Sequence, residues 1–110
     1  NPWMADCARA AFTVLPRPEP TPPGAPGPFA FADGERLRGI LGAAGYAAVD
    51  IRPHDETLDL GTPDEALDQM TRMGPAAAPY GAADAATRAA TARAIRDALD
   101  ARIVNGRVLM

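Results

Sequence analysis

The stretch LRGILGAAGYAAVDIRP, residues 37–53, decides the fold class because it joins a helix pattern to a strand pattern. Apolar residues recur at i, i+3, i+4 and i+7 from Leu37 to Ala44, which predicts a helix with these residues on one face. Gly45 follows, where a residue without a Cβ most easily ends a helix. From Ala47 to Arg52 every second side chain starting with Ala47 is apolar, which is typical of a half-buried strand. A helix followed so closely by a strand indicates a layered α/β sheet, and one strand cannot form it.

Length, composition and charge limit the remaining possibilities. The chain has 110 residues, enough for one small domain, and its 47% of hydrophobic residues includes only 5% aromatics. The net charge is −3 and every basic residue is Arg, without the basic clusters of a nucleic-acid-binding protein. Cys7 is the single cysteine and has no partner for an internal disulfide, which favours a reducing compartment. With no signal-peptide pattern and no run long enough to span a bilayer, we predict a cytoplasmic protein without membrane contact.

The pattern along the chain predicts a single partial domain with five segments. From Pro16 to Pro28, seven of thirteen residues are proline, so this part should be an extended linker. The predicted segments are a helix at 2–15, the Pro-rich linker at 16–28, a helix–strand unit at 29–60, a helical insertion at 61–102, and the start of a final strand at 103–110.

Capping and turn residues place the ends of these elements. Asp33 is a candidate N-cap, and Thr62 with Glu65 has the spacing of a capping box. The insertion is predicted as two helices, Pro63–Gly74 and Asp84–Ala101, the second turning Ala85, Ala92, Ile95 and Leu99 inward. Asn105-Gly106 between apolar pairs predicts a type I′ hairpin.

Candidate sites are few. His54 beside Asp55 and Glu56 lacks a converging third ligand and is interpreted as a solvated strand end, not a metal site. Cys7 is interpreted as a small buried residue of the first helix. The spacing Arg17-x-x-Pro20-x-x-Pro23 formally matches a polyproline ligand of SH3 domains, although a spacer is the better interpretation.

An apolar group of side chains offers two interpretations. Methionines and aromatic residues occur on the first helix and in the insertion, and they could line an adaptable pocket or simply fill the core. These residues are Trp3, Met4, Met70, Met73 and Tyr80. Both interpretations stay open at the level of the sequence.

The order of the motifs resembles a known family. "NPWM" is followed by "PGPFAFAD", then by "RGILGAAGY", and finally by "TPDEAL" and "RMGP". Over nearly the whole chain this order resembles the C-terminal half of class I S-adenosylmethionine-dependent methyltransferases, in the broad group that includes the quinone-biosynthesis enzymes.

The resemblance implies an α/β fragment, predominantly helical, that is the C-terminal part of a Rossmann-like sheet. The helix from Asp33 to Ala44 would be the last helix, residues 47–58 the sixth strand, and residues from about Arg107 the start of an antiparallel seventh strand, with the helical insertion between the two strands. Such a parent enzyme transfers a methyl group from S-adenosylmethionine to a small molecule by direct displacement. The glycine-rich loop and ribose-binding acid of the family have no counterpart here, so we expect no cofactor to bind this chain alone and assign no catalytic or cofactor-binding residue.

The resemblance implies that the chain contributes an apolar, mobile cover over the substrate. Its side chains would be those of Trp3, Met4, Met70, Met73 and Tyr80. The alternative is a non-enzymatic binding or oligomerisation module with the Pro-rich segment as a partner ligand. We also expect a homodimer, because residues 47–58 and 103–110 would otherwise present unpaired strand edges.

Overall fold

The structure, a computed structural model, describes residues 2–20 and 22–110. It divides into two compact units. The helical unit combines Glu56–Met110 with the N-terminal residues up to Pro18, and the proline-rich unit is Glu19–Asp55. Each unit is described by itself below.

The described elements are mainly helical, with one small sheet. In chain order they are α1 (Pro2–Ala11), α2 (Gly34–Ala43), α3 (Pro63–Arg72), α4 (Ala77–Ala82), α5 (Ala85–Asp100), β1 (Ile103–Val104) and β2 (Arg107–Val108). Only α2 belongs to the proline-rich unit.

Side-chain caps start the two long helices of the insertion, and the first of these caps was predicted. The Thr62 hydroxyl accepts a hydrogen bond from the Glu65 backbone N–H, and the Glu65 carboxylate accepts one from the Thr62 N–H at 2.8 Å. This reciprocal pair confirms the capping box. At the next long helix, the Asp84 carboxylate accepts from the Thr87 N–H at 2.7 Å and satisfies a donor that has no partner within α5.

Helix α5 supplies the centre of the core. Ile95 and Leu99 are almost fully buried, and α5 packs against both α1 and α3. The prediction was wrong for Ala85, which is exposed, and it missed Thr91, which is fully buried. Thr91 tolerates burial because its hydroxyl donates to the Thr87 carbonyl at 2.8 Å, so no polar atom of that side chain lacks a partner.

The region between the two predicted insertion helices contains α4, which the sequence did not predict. This region contains two prolines, Pro75 and Pro79, which disfavour a helix interior. Pro79 nevertheless lies in the first turn of α4, where its missing N–H removes no intrahelical hydrogen bond. Before it, α3 ends at Arg72, and Gly74 adopts the left-handed conformation at φ 78°.

Residues 107–110 are the central segment of a small antiparallel ladder, between β1 and residues 58–60. On one side, Asn105 and Gly106 take positive φ values of 50° and 78° and join β1 to β2, which confirms the hairpin. On the other side, Leu58 and Met110 exchange two backbone hydrogen bonds of 2.7 and 2.9 Å. Leu60 N–H adds a third bond to the Val108 carbonyl at 2.9 Å.

The strand predicted over Ala47–Leu58 is wrong for most of its length. Within the described segment 47–57 no residue is assigned to a strand, and the ladder begins only at Leu58. Ala48 has φ 55°, which interrupts an extended backbone. Alternating side chains specify a strand only when a neighbouring strand satisfies the backbone groups, and none does so here.

Helix α2 has well-formed ends and an exposed surface. Asp33 caps its start, and the Gly45 and Tyr46 N–H groups close its end on the Gly42 and Leu41 carbonyls, a Schellman motif. The apolar face predicted from residue 37 to residue 44 exists, but α2 contains no buried residue and Ile40 is 42% exposed. Its apolar surface therefore adds little to any core.

Candidate functional site

An apolar crevice lies in the helical unit between α1 and the turn that joins α3 to α4. Its enclosed space is about 10 Å³, enough for one water molecule, within about 250 Å³ of empty space that includes open solvent. Helix α1 contributes Trp3, Met4, Cys7 and Ala8, and the facing side consists of Met70, Met73 and the turn at 74–76.

The base of the crevice is fixed by buried residues and its mouth by exposed ones. Cys7, Met70 and Ala76 are buried and belong to the core. Met73 follows the last residue of α3 and is 53% exposed. A flexible thioether at an open edge of a packed wall can change rotamer without disturbing the core.

A left-handed glycine brings the two sides close together. Gly74 has φ 78°, and a Cβ atom at that position would lie 3.8 Å from Met4 Cγ. The turn backbone therefore faces α1 directly. A residue with a side chain would be strained at this φ whatever the available space.

The structure brings together four of the five residues predicted from the sequence to bind substrate. Trp3, Met4, Met70 and Met73 line the crevice, although they come from segments more than sixty positions apart. Tyr80 lies on α4, is partly buried and packs against the core without lining the crevice. Cys7 was predicted as a small buried residue of α1, and its place in the crevice beside Ala8 was not predicted.

The described crevice lining contains no acidic or basic side chain. Burial raises the pKa of the Cys7 thiol to about 11, and the negative charge of Asp6 contributes in the same direction. This thiol is therefore uncharged at neutral pH and a poor nucleophile. Asp6 itself is paired with Arg9 and Arg102 at 3.1 and 2.9 Å.

A polar cleft occupies a different part of the helical unit. Asp59, Glu65 and Arg107 line it together with residues 60–61 and 68–69, and Arg107 Nε donates to Asp59 at 2.6 Å. That bond lowers the pKa of Asp59, and hydrogen bonds from Thr62 lower the pKa of Glu65. Both carboxylates already have hydrogen-bond partners within the fold. We therefore interpret these residues as stabilising the fold and not as a reaction site.

The other candidates from the sequence do not form a site in the described residues. His54, Asp55 and Glu56 are exposed, and no group of three potential metal ligands is present among residues 2–20 and 22–110. The Pro-rich segment is exposed at residues 16–20. The predicted SH3-ligand spacing Arg17-x-x-Pro20-x-x-Pro23 includes residue 21, which lies outside the described residues.

No protein-family model matches the chain, and no curated protein or solved structure matches it either. In the part of the chain that the structure describes, no helix has the length and apolar character needed to cross a bilayer.

Proposed function

We propose that this chain is the substrate-side, C-terminal portion of a small-molecule methyltransferase that uses S-adenosylmethionine. The crevice would hold the apolar part of the methyl acceptor, and the chain alone would be inactive. The sequence motifs along nearly the whole chain suggest the family, and the crevice suggests which residues of this portion contact the substrate.

The observation that carries the proposal is the meeting of Trp3 and Met4 with Met70 and Met73 around one crevice. The two pairs belong to the two segments in which the resemblance implies substrate-side residues. Ligand pockets usually have about 300–1,000 Å³. The enclosed space of this crevice is only about 10 Å³, the size of one water molecule, so the acceptor would rest against its open side and residues outside this portion would complete the pocket.

The ladder at the end of the chain is a second, independent support. The resemblance implies a final strand antiparallel to its neighbours and separated from the preceding strand by a helical insertion. Residues 58–60 pair antiparallel with residues 108–110, and α3, α4 and α5 lie between them in the sequence. This short ladder is compatible with the end of such a sheet, and only residues 58–60 at the end of the predicted sixth strand take part in it.

The described residues do not fit S-adenosylmethionine. Its amino-acid part is charged and its ribose is polar, whereas the crevice lining is uncharged. The N-termini of α2, α3 and α5 are occupied by their own capping side chains, from Asp33, Thr62 and Asp84. We therefore assign this chain the tasks of holding the acceptor and excluding water, which are large contributions in a displacement reaction.

The test uses the chain extended upstream by the residues that its gene encodes. The extended protein should release S-adenosylhomocysteine from S-adenosylmethionine in the presence of one member of a panel of neutral aromatic hydroxyl, amine or thiol compounds. Trp3→Ala with Met73→Ala should raise the KM for that acceptor by about tenfold, which corresponds to about 1.4 kcal/mol, and leave the Kd for the cofactor unchanged. Unchanged turnover and acceptor affinity would remove these residues from the site.

The alternative, a binding or oligomerisation module, is favoured by one observation. The helical unit has its own core, while Phe29 and Phe31 of the proline-rich unit are 53% and 61% exposed. Such a module would bind a protein partner through the Pro-rich segment and would have no need of S-adenosylmethionine. A proline-ligand domain that captures the chain, while an extended chain fails to bind the cofactor, would favour this function.

We also propose a cytoplasmic location and a homodimer that forms through strand edges. The outer edge of β1 carries Ile103 and Val104, which are 39% and 51% exposed and could pair with a second copy. Light scattering at high micromolar concentration should give twice the mass of one chain. A monomer mass with a well-dispersed spectrum would contradict the dimer.

A further inference from the structure

The turn between β1 and β2 consists of Asn105 and Gly106, the one asparagine–glycine pair in the sequence. Asparagine before glycine cyclises readily, because glycine has no side chain to hinder attack by its backbone nitrogen on the side-chain carbonyl of the asparagine. The other asparagine, Asn1, precedes Pro2, which has no backbone N–H and cannot attack in this way. Of the two asparagines, only Asn105 is therefore suited to this reaction.

The fold leaves the turn open to water. Asn105 and Gly106 are both exposed. Apart from the chain neighbours of Gly106, no heavy atom lies within 4 Å of the position that a Cβ on this glycine would take. The positive φ of 50° at Asn105 belongs to the turn, so the native hairpin slows the rotation that brings the reacting atoms together without shielding them.

An aspartate–glycine pair elsewhere in the chain provides a comparison. Asp33 precedes Gly34, and aspartate before glycine forms the same cyclic imide. The Asp33 carboxylate, however, caps α2 and accepts hydrogen bonds from the next two N–H groups, those of Glu35 and Arg36, at 3.0 and 3.3 Å. Cyclisation at this pair requires the loss of the cap and the opening of the first turn of α2.

We infer that Asn105 is a site of spontaneous covalent modification, and that one of its products releases β1 from the ladder. The Gly106 nitrogen forms a bond to Asn105 Cγ, the bond from Cγ to Nδ2 breaks, and the side-chain nitrogen leaves as ammonia with the proton that Gly106 gives up. Water then opens either carbonyl of the resulting succinimide. Its hydroxyl group joins the carbonyl carbon and its remaining proton returns to the Gly106 nitrogen, which leaves aspartate or isoaspartate.

The two products differ in their effect on the hairpin. In isoaspartate the main chain passes through Cβ and Cγ and is one carbon longer, so the loop no longer fits a two-residue turn. Aspartate keeps the ordinary main chain, and Asp-Gly suits the same turn as Asn-Gly. The pairs whose register depends on this loop are Ile103 with Val108 and Val104 with Arg107.

The loss should be confined to β1. Little side-chain burial holds this strand, because Ile103 and Val104 are 39% and 51% exposed. Strand β2 has further attachments, since Val108 is fully buried and its carbonyl accepts from the Leu60 N–H at 2.9 Å. The pairing of residues 108–110 with residues 58–60 therefore remains when β1 separates.

The inference is independent of the proposed function. It needs no cofactor and no methyl acceptor, and it concerns only residues of this chain. A failed test of methyl transfer leaves it unchanged, and its own failure leaves the methyltransferase proposal unchanged.

The first experiment incubates the full 110-residue chain in mildly alkaline buffer, with and without urea. Conversion of Asn105 adds one negative charge to a chain of net charge −3, so anion exchange separates the products, and fragmentation mass spectrometry distinguishes isoaspartate from aspartate. Exposed turns open at low free energy, so the rate at Asn105 in the native chain should lie within about tenfold of the rate in urea. Isoaspartate formation at Asp33 should be suppressed more strongly by the fold.

The result that would overturn the site is a native chain without conversion at Asn105 over a period in which the chain in urea converts completely. An equal ratio of native to unfolded rates at Asn105 and Asp33 would show that the exposed turn gives no advantage over the capped pair.

Two variants provide the matched controls. Asn105→Gly retains a turn that suits a two-residue hairpin and removes the reactive amide, so incubation should add no charge. Asn105→Asp is the aspartate product. The purified isoaspartate form should have a Tm at least about 4 °C below that of Asn105→Asp, as expected for the loss of one net hydrogen bond from a small domain.

Hydrogen exchange then locates the change. The Arg107 amide should exchange faster in the isoaspartate form than in Asn105→Asp, whereas exchange of the Leu60 amide, which bonds to Val108, should be equal in the two. Equal Tm values and equal exchange at Arg107 would overturn the release of β1.

Discussion

The Arg107 guanidinium donates to the Asp59 carboxylate at 2.6 Å and links the segment before α3 to β2. Asp59 also accepts a hydrogen bond from the Gly61 N–H at 2.9 Å, and its backbone forms a bridge with Leu109. One side chain thus fixes the turn into α3 and the register of the ladder. The ends of the insertion are held together at this point.

This arrangement predicts that the fold loses stability in acid. The hydrogen bond from Arg107, followed by that from Gly61, lowers the native pKa of Asp59 below its ordinary value of 3.8. A carboxyl group with a lowered native pKa stabilises the fold above its unfolded pKa, and this stabilisation is lost as the pH falls through the native value. Glu65 and Asp84 shift in the same direction.

Asp59→Asn should therefore lower the Tm at neutral pH and reduce the further loss of Tm between about pH 5 and pH 2. Asp50→Asn is the control, because Asp50 is exposed and pairs only with Arg52, two positions away in the sequence. Thermal unfolding followed by circular dichroism measures both. Equal pH dependence in Asp59→Asn and the unmodified chain would contradict the assigned role.

The capping box predicts a modest loss of stability when the Thr62 hydroxyl is removed. Thr62→Ala should cost about 1 kcal/mol of unfolding free energy, because the Glu65 N–H loses its acceptor. Thr71→Ala is the matched control, since the Thr71 hydroxyl only donates to the Asp68 carbonyl within α3 and alanine is a better helix former. Urea unfolding should show no loss for Thr71→Ala; equal losses in the two variants would argue against the cap.

The packing of the core predicts a large loss of stability when the Leu99 side chain is truncated. This side chain is fully buried on α5, so Leu99→Ala should cost about 2–5 kcal/mol through lost burial and a residual cavity. Leu58→Ala removes the same atoms from a side chain that is 40% exposed and should cost less than about 1 kcal/mol. If urea unfolding ranks the two variants in the opposite order, α5 is not the centre of the core.

The buried Cys7 thiol should report on opening of the helical unit. It is 3% exposed and its pKa is raised to about 11, so labelling by a disulfide reagent at pH 8 should be slow in the native chain and fast in urea. Leu99→Ala should accelerate labelling, because the destabilised fold opens more often. Rapid, complete labelling of the unmodified chain without urea would show that the crevice base is accessible.

Local signals in the sequence predicted four of the five described helices and the hairpin turn, but not α4. The caps at Asp33 and Thr62 and the hairpin at residues 105–106 occur as predicted, and the helix predicted to begin at Asp84 is capped by that residue. These features depend on hydrogen bonds between residues a few positions apart, which composition and spacing specify well.

Features that depend on distant contacts were predicted less well. A strand over residues 47–58 needed a neighbouring strand, and the chain supplies one only from Leu58 onward. Burial of Thr91 required knowledge of the tertiary packing of α5. The meeting of α1 with the end of α3 could be anticipated only as a possibility, because helical periodicity gives a face and not its partner.

The most direct test of the proposed function is a calorimetric titration of S-adenosylmethionine into this chain and into the chain extended upstream. We predict no binding heat with this chain and clear binding with the extended protein, as expected for a substrate-side portion without its cofactor-binding part. Binding to this chain alone would contradict that assignment. Absence of binding to both would contradict the methyltransferase proposal and favour the interaction module.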